Sequence, residues 1–221
     1  MTFQRARSPE QREIRRRAIL ATAEAMLDEM PVAEVSLNEL SRRVGLAKSN
    51  VLRYFESREA VLLALLDDFL ARWLVDLERD LDAGVEPRAP VEVRAGRLAD
   101  VLSRSLADRM VLCDLFGAQG GVLEHNVSLE AVKRHKRSSL GRLEEMTGLV
   151  RRHLPELGED ARSFCLMSLV TAGAMSSFVP PPPVVLAAYE DEPELAVVHV
   201  EARDGLRLAF GALLLGVVPR D

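Results

Sequence analysis

Apolar residues recur along most of this chain at intervals of three and four, the period of an amphipathic helix. The first such stretch places Ile14, Ala18, Ala21, Ala25 and Met26 on one face, widened by Ile19, Leu20, Ala23 and Leu27. Met30-Pro31 ends it, because proline cannot continue the helical ladder. Residues 36–55, SLNELSRRVGLAKSNVLRYF, then predict two short helices joined by a tight turn. Ser36 caps the first, and Glu39 three residues on is spaced to reach back to the Ser36 amide as a capping box. Leu37, Leu40 and Val44 share one face, and Gly45 supplies the left-handed conformation that a sharp turn often needs. Leu46, Val51, Leu52 and Phe55 are the expected apolar anchors of the second helix. Lys48, Ser49, Asn50, Arg53 and Tyr54 are left facing outward or lining an edge.

Ser57 is spaced to cap a long helix that continues through Phe69, Trp73 and Leu77 to about Leu81, before Gly84, Pro87 and Pro90. Further helices are expected over about 91–106, 110–119, 128–154, 160–179 and 204–218, the second of these stopped by Gly120-Gly121. The only β-leaning run is AVVHV at 196–200, and the tetraproline Pro180–Pro183 predicts a stiff polyproline II spacer. The expected architecture is all-α: a three-helix helix-turn-helix domain over 1–57 joined to a larger helical domain over 58–221.

Net charge is −5, which argues against a polyanionic partner until its distribution is considered. Residues 1–17 carry six arginines (Arg5, Arg7, Arg12, Arg15, Arg16 and Arg17) against Glu10 and Glu13, a charge of +4. Residues 1–60 hold 11 basic and 9 acidic side chains, and the remainder 18 and 25. A head of +2 on a body of −7 orients a molecule on a polyanion.

Two cysteines, Cys113 and Cys165, do not make a disulfide framework, so the expectation is a reduced, cytoplasmic protein. The charged amino terminus has no signal-peptide core. The longest uncharged run, from Ser163, is broken at Pro180, short of the ~20 residues of a membrane span. Catalysis lacks support: there is no GxSxG, P-loop or HExxH, the four histidines are dispersed, and paired carboxylates such as Glu144-Glu145 are adjacent rather than facing. No cofactor and no metal are expected.

The division between a buried and an exposed side in 36–55 is what a helix-turn-helix requires, though an ordinary αα-hairpin has the same periodicity. The flanks add a basic arm, a packing helix and a capped connecting helix. Together AILATAEAML, SLNELSRRVGLAKSNVLRYF and SREAVLLAL, within about residues 12–66, resemble the amino-terminal domain of the tetracycline-repressor (TetR) family of transcriptional regulators. Tyr54-Phe55 matches that family's aromatic pair. The resemblance implies that Lys48, Ser49 and Asn50 lie in the DNA major groove and that Ser36, Tyr54 and Arg58 contact phosphates. Leu52 stands where the family usually has a tyrosine, so one phosphate contact is missing, and Arg53 is the neighbour placed to replace it. This departure keeps open an alternative, a helical adaptor or ligand-binding protein that has lost DNA binding. Salt dependence of affinity separates the two.

Two later helices bear on assembly. Phe164, Met167, Thr171, Met175 and Phe178 mark one face of 163–179, and the opposite side is uncharged too, so the segment is apolar all round. The last helix aligns Leu206, Phe210, Leu213, Leu214 and Val217, with small Gly211 and Ala212 between. We expect a homodimer in which these helices meet their copies, through Phe164, Gly173, Leu206, Phe210, Leu213, Leu214 and Val217. A single domain keeping both helices in its own core fits the same pattern. The family resemblance implies the same dimer and a pocket for a small, largely apolar effector inside the carboxy-terminal domain. Candidate lining is Phe69, Trp73, Met110, Cys113, Phe116, Met146, Met167, Thr171 and Met175, of which each alone is also ordinary core. His125, Asn126 and His135 are expected to be exposed.

Overall fold

The computed structural model describes residues 9–217, and side chains through Gly216. The expected contributions of Arg5 and Arg7, of the Val217 side chain and of Val218 lie outside the described residues. No strand occurs among the described residues, and their contacts form two compact units. One comprises the chain to Asp68 with Ala118–Ser138; the other comprises Phe69–Gly117 with Ser139 onward.

In the first unit, α1 (Pro9–Leu27) packs on α2 (Leu37–Val44). The stripe α1 buries is Ile19, Ala23, Met26 and Leu27, while Ile14 is 60% exposed and Ala18, Ala21 and Ala25 face solvent. The buried residues are thus Met26 and the widening side of the expected stripe, while its Ile14–Ala25 edge lies in solvent. Leu40 and Val51 are fully buried, with Val32, Val35, Leu46 and Phe55 close behind. α3 is only Lys48–Val51, followed by turns closed by the Tyr54 and Phe55 amides on the Val51 carbonyl. α4 (Arg58–Gly84) starts where the Ser57 hydroxyl accepts the Ala60 amide at 3.1 Å, and Val61, Leu62, Leu65 and Leu66 complete this core.

In the second unit, Trp73, Leu74, Leu77 and Leu81 of α4 are buried together with α5 (Val91–Ala107), α6 (Met110–Ala118), the later turns of α7 (Leu129–His153), α8 (Asp160–Met175) and α10 (Ala202–Val217). α10 packs on α5 and α8. The Gly120-Gly121 pair does not stop α6; the chain continues as a π-helical turn over Gln119–Leu123. Between α8 and α10, Pro182 keeps the polyproline conformation (φ −58°, ψ 152°), but Pro183 already opens α9 (Pro183–Asp191). The spacer is short because proline is well suited to the first helical position. Val197 and Val198, in the β-leaning run, lie in a 3-10 turn over Pro193–Val198.

One charged side chain organises the second unit's interior. The Arg94 guanidinium donates to the carbonyls of Ala89 and His153, both at 3.0 Å, and pairs with the Glu156 carboxylate, tying the start of α5 to the end of α7. α6 and α8 cross at a pair of glycines: a Cβ on Gly117 would lie 2.5 Å from the Gly173 carbonyl oxygen. That atom is backbone and cannot turn aside. Gly117→Ala should therefore lower stability by ~1–3 kcal/mol, whereas Gly141→Ala on α7, where a methyl meets nothing within 4 Å, should raise it by ~0.5–1 kcal/mol. Urea unfolding midpoints of the two variants moving in opposite directions is the expected outcome.

Candidate nucleic-acid interface

The hairpin α2–α3 is built from its turn outward. Gly45 adopts φ 71° and ψ 31°, and the Leu46 amide bonds back to the Ser41 carbonyl at 3.0 Å, closing α2 in the left-handed manner glycine favours. Leu46 and Val51 then enter the core, leaving Lys48, Ser49 and Asn50 adjacent and exposed, with Arg53 exposed and Tyr54 half-buried just beyond. Leu52 is 40% exposed, so it is not one of the anchors. It lies with Arg53 in the turn after α3, both exposed.

Ser36 caps α2 through its hydroxyl, which accepts the Glu39 amide at 3.2 Å. The reciprocal half of the capping box is replaced. The Glu39 carboxylate accepts from Arg42 (2.8 and 2.6 Å) and Arg43 (2.8 Å) instead, and those guanidinium bonds hold its pKa down at about 2. Two charged donors outbid one neutral amide because charge-assisted bonds are roughly twice as strong. Arg43 also pairs with Glu29 at 2.7 Å, which fixes α2 against the chain leaving α1.

Arg58 does not reach outward. Its guanidinium donates to the carbonyls of Ala33 (3.2 Å) and Val35 (2.9 Å), clamping the segment that leads into α2. The expected phosphate contact is thus a positioning residue in this structure. A second clamp has no local sequence signal. The Glu56 carboxylate accepts the Ser128 amide (2.6 Å) and hydroxyl (2.8 Å), while the same hydroxyl caps α7 at Ala131 (3.2 Å). These bonds lower the Glu56 pKa. Its partner lies 72 residues away, beyond any local pattern.

The expected effector lining belongs to the second unit but is not uniformly interior. Trp73, Cys113 and Met146 are buried, and Phe69, Met110, Phe116, Thr171 and Met175 are half-buried. Met167 is 45% exposed on the outer side of α8 and does not belong with them. Trp73 donates its ring N–H to the Ser105 hydroxyl at 2.8 Å, and the Thr171 hydroxyl donates to the Met167 carbonyl at 2.7 Å. His125 and Asn126 are exposed as expected, but His135 is buried, beside Glu124.

The expected interface stripe is also displaced. Phe164, Leu206, Phe210 and Leu214 are buried within the chain itself, Leu213 is half-buried, and Gly173 is occupied by its crossing with Gly117. The apolar residues left uncovered are Leu166, Met167 and Val170 on α8 and Leu208 and Leu215 on α10.

This geometry has counterparts in known proteins. Residues 19–65 match the family of bacterial regulatory proteins of the tetR type, and residues 67–221 match the tetracyclin repressor-like C-terminal domain. The chain belongs to the TetR family. The HTH-type transcriptional regulator EthR of Mycobacterium tuberculosis is 48% identical to it over 50 residues, 23% of each chain, so the match spans less than a quarter of that relative. Thermus thermophilus FadR, a TetR-family repressor solved in complex with lauroyl-CoA, shares the fold at a TM-score of 0.57 and 18% identity, over 93% of this chain and 96% of its own. A TetR/AcrR-family regulator from Thermobifida fusca does so at 0.51 and 20%, over 93% and 99%. Its family is thus one of bacterial regulatory proteins, and no described helix is long and apolar enough to cross a membrane.

Both thiols of this TetR-family chain are buried, and burial pushes each up to about 12. The thiolate is the reactive form, so neither cysteine is poised for redox sensing. At pH 8 a disulfide reagent should label neither Cys113 nor Cys165 in the folded protein and both in denaturant. Rapid labelling of the native protein would contradict this.

Proposed function

We propose that this regulator is a repressor that binds a pseudo-palindromic operator as a homodimer in the cytoplasm and is released by a largely apolar small molecule. The observation that carries the reading is the exposed triplet Lys48, Ser49 and Asn50, held on a hairpin whose other side is core. Lysine and asparagine present donors and acceptors to base edges in the major groove, and Ser36, Arg53 and Tyr54 supply phosphate contacts around them. Arg58 serves these contacts indirectly, by holding the entry to α2.

The dimer reading rests on the uncovered apolar side of α8 and α10. Leu166 and Val170 are four residues apart, as are Leu208 and Ala212, so each helix offers a continuous exposed stripe. A second copy related by a two-fold axis covers both at once, with Leu206, Phe210 and Leu214 as the packing behind them. The two α3 helices then stand about one DNA turn apart, ~34–36 Å or a multiple. An effector among Phe69, Trp73, Met110, Cys113, Phe116, Met146 and Met175 favours a dimer with different spacing, and α4, which contributes to both units, is a continuous element available to carry that change. By reciprocity the operator weakens effector binding by the same factor. Since the FadR of Thermus thermophilus was solved with lauroyl-CoA, fatty acyl thioesters are the first effectors to try.

Selection of duplexes from a random pool tests the DNA reading. The wild type should enrich a two-fold symmetric site, and a Lys48→Ala/Tyr54→Phe double variant should not. Asn50→Ala should relax preference at one base position by ~1–3 kcal/mol, whereas Tyr54→Phe should weaken all sequences alike. No enrichment at low salt would instead favour the adaptor. For assembly, sedimentation should give twice the 24.5 kDa of one chain, and Leu208→Asp/Leu215→Asp should give the monomer; a wild-type monomer at micromolar concentration would refute the dimer.

A further inference from the structure

The first unit contains a cleft of about 630 Å³, within the ~300–1,000 Å³ range of small-ligand pockets. Its walls come from the turn after α3, the first turns of α4, the first turns of α7, and Arg16 of α1. Three arginines line it, Arg16, Arg53 and Arg134, each contributed by a different element. The acidic residues on the same walls are already committed. The Glu56 carboxylate accepts both Ser128 donors, and the Asp67 carboxylate accepts the Ser138 hydroxyl. Arg16 lies over the Phe55 ring at 5.1 Å, and Arg134 lies near enough to the Glu56 carboxylate to help lower its pKa without forming one of that carboxylate's hydrogen bonds to Ser128.

His135 also lines the cleft, and burial lowers its pKa, which favours a neutral ring there. The formal balance in the cleft is thus three arginines against the two carboxylates of Glu56 and Asp67, a surplus of one positive charge, with both carboxylates hydrogen-bonded to serines. Convergent arginines with a fork of donors suit the oxygens of a phosphate group better than a lone carboxylate or an apolar body. None of the residues expected to line the effector site takes part.

We propose that this cleft binds a diphosphate-bearing anion through Arg16, Arg53 and Arg134. Occupancy antagonises operator binding, because Arg53 and Tyr54 belong both to the cleft and to the proposed phosphate contacts. The antagonism rests on the DNA reading above; the site itself does not. It amounts to a second input, acting at the DNA-binding unit directly and not through an apolar effector.

Equilibrium dialysis of the full chain against inorganic pyrophosphate, with chloride at matched ionic strength as reference, tests the site without DNA. The wild type and the control Arg137→Gln, an exposed arginine of α7 outside the cleft, should each retain one equivalent per chain. Arg134→Gln should retain none while keeping the wild-type circular dichroism spectrum. A parallel arm with ADP separates the sources: tighter retention assigns a nucleotide, equal retention a free diphosphate. Fluorescence anisotropy on the selected operator should show pyrophosphate weakening the wild type by about fivefold or more beyond chloride, with Arg134→Gln indifferent. Retention no greater than in the chloride reference, or equal retention by Arg134→Gln, overturns the site. Loss of operator affinity by Arg134→Gln in chloride, with no pyrophosphate retained, overturns it too and makes the cleft part of the DNA surface. Stoichiometric retention with unchanged operator affinity overturns the antagonism alone. If no operator is found, the DNA reading fails while dialysis still decides the site.

Discussion

A helix of four residues cannot hold its own shape, because nucleating a turn fixes several dihedrals for the return of one hydrogen bond. α3 is such a helix, so everything that gives Lys48, Ser49 and Asn50 a defined direction has to come from outside it. Burial of Leu46, Val51 and Phe55 sets its inner side. Gly45 sets the angle at which it leaves α2. Arg58 and Glu56 then fix the chain on either flank, the first by gripping the carbonyls before α2 and the second by anchoring the chain after α3 to the cap of α7. A reading surface made this way is small and stiff, which suits contacts whose value depends on geometry more than on area.

Much of the hairpin was legible because its determinants are local. A serine cap, a leucine four residues on and a glycine at the end need only a few neighbours to be interpreted, and Ser36, Leu40 and Gly45 behave as their spacing implies. Where the reading failed, a competing partner decided. Glu39 has an amide within reach in any capping box, but Arg42 and Arg43 stand three and four residues on and bring charged donors to the same face. The stripe of α1 was broader than its buried part because alanine marks a helical face only weakly: Ile19, Ala23, Met26 and Leu27 are buried, and Ala18, Ala21 and Ala25 are not. His135, flanked by arginine and lysines in sequence, is buried by residues that no local pattern could supply.

The same limit, in a sharper form, governs α8 and α10. A helix with apolar residues on every side has two candidate faces, and periodicity ranks neither. The chain's own packing consumes Phe164, Leu206, Phe210 and Leu214, so the surface left for a partner is the complementary one around Leu166, Val170, Leu208 and Leu215. The apolar pattern of these helices shows that they need cover, not whether one subunit or two supplies it. Assigning each face to its use requires knowing where α5 and α6 lie, and that information is long-range.

Satisfied polar groups also constrain what the second unit could sense. The Trp73 N–H is bonded to Ser105, the Thr171 hydroxyl to its own helix, and the Cys113 thiol lies against the Leu106 carbonyl at 3.5 Å. An effector entering there finds few unclaimed donors, the buried Ser168 hydroxyl of α8 among them, so its recognition would come mainly from shape and apolar contact, with affinity rising as buried area does, at roughly 25 cal/mol per Å² before ordering costs. Met110, Met146 and Met175 fit that mode, since an unbranched thioether adjusts to irregular outlines. The polar chemistry that could discriminate a charged ligand is concentrated instead in the first unit, where the arginines of α1, of the turn after α3 and of α7 converge. On the functions proposed above, an apolar core would read size and a basic cleft would read charge, each according to the side chains that line it.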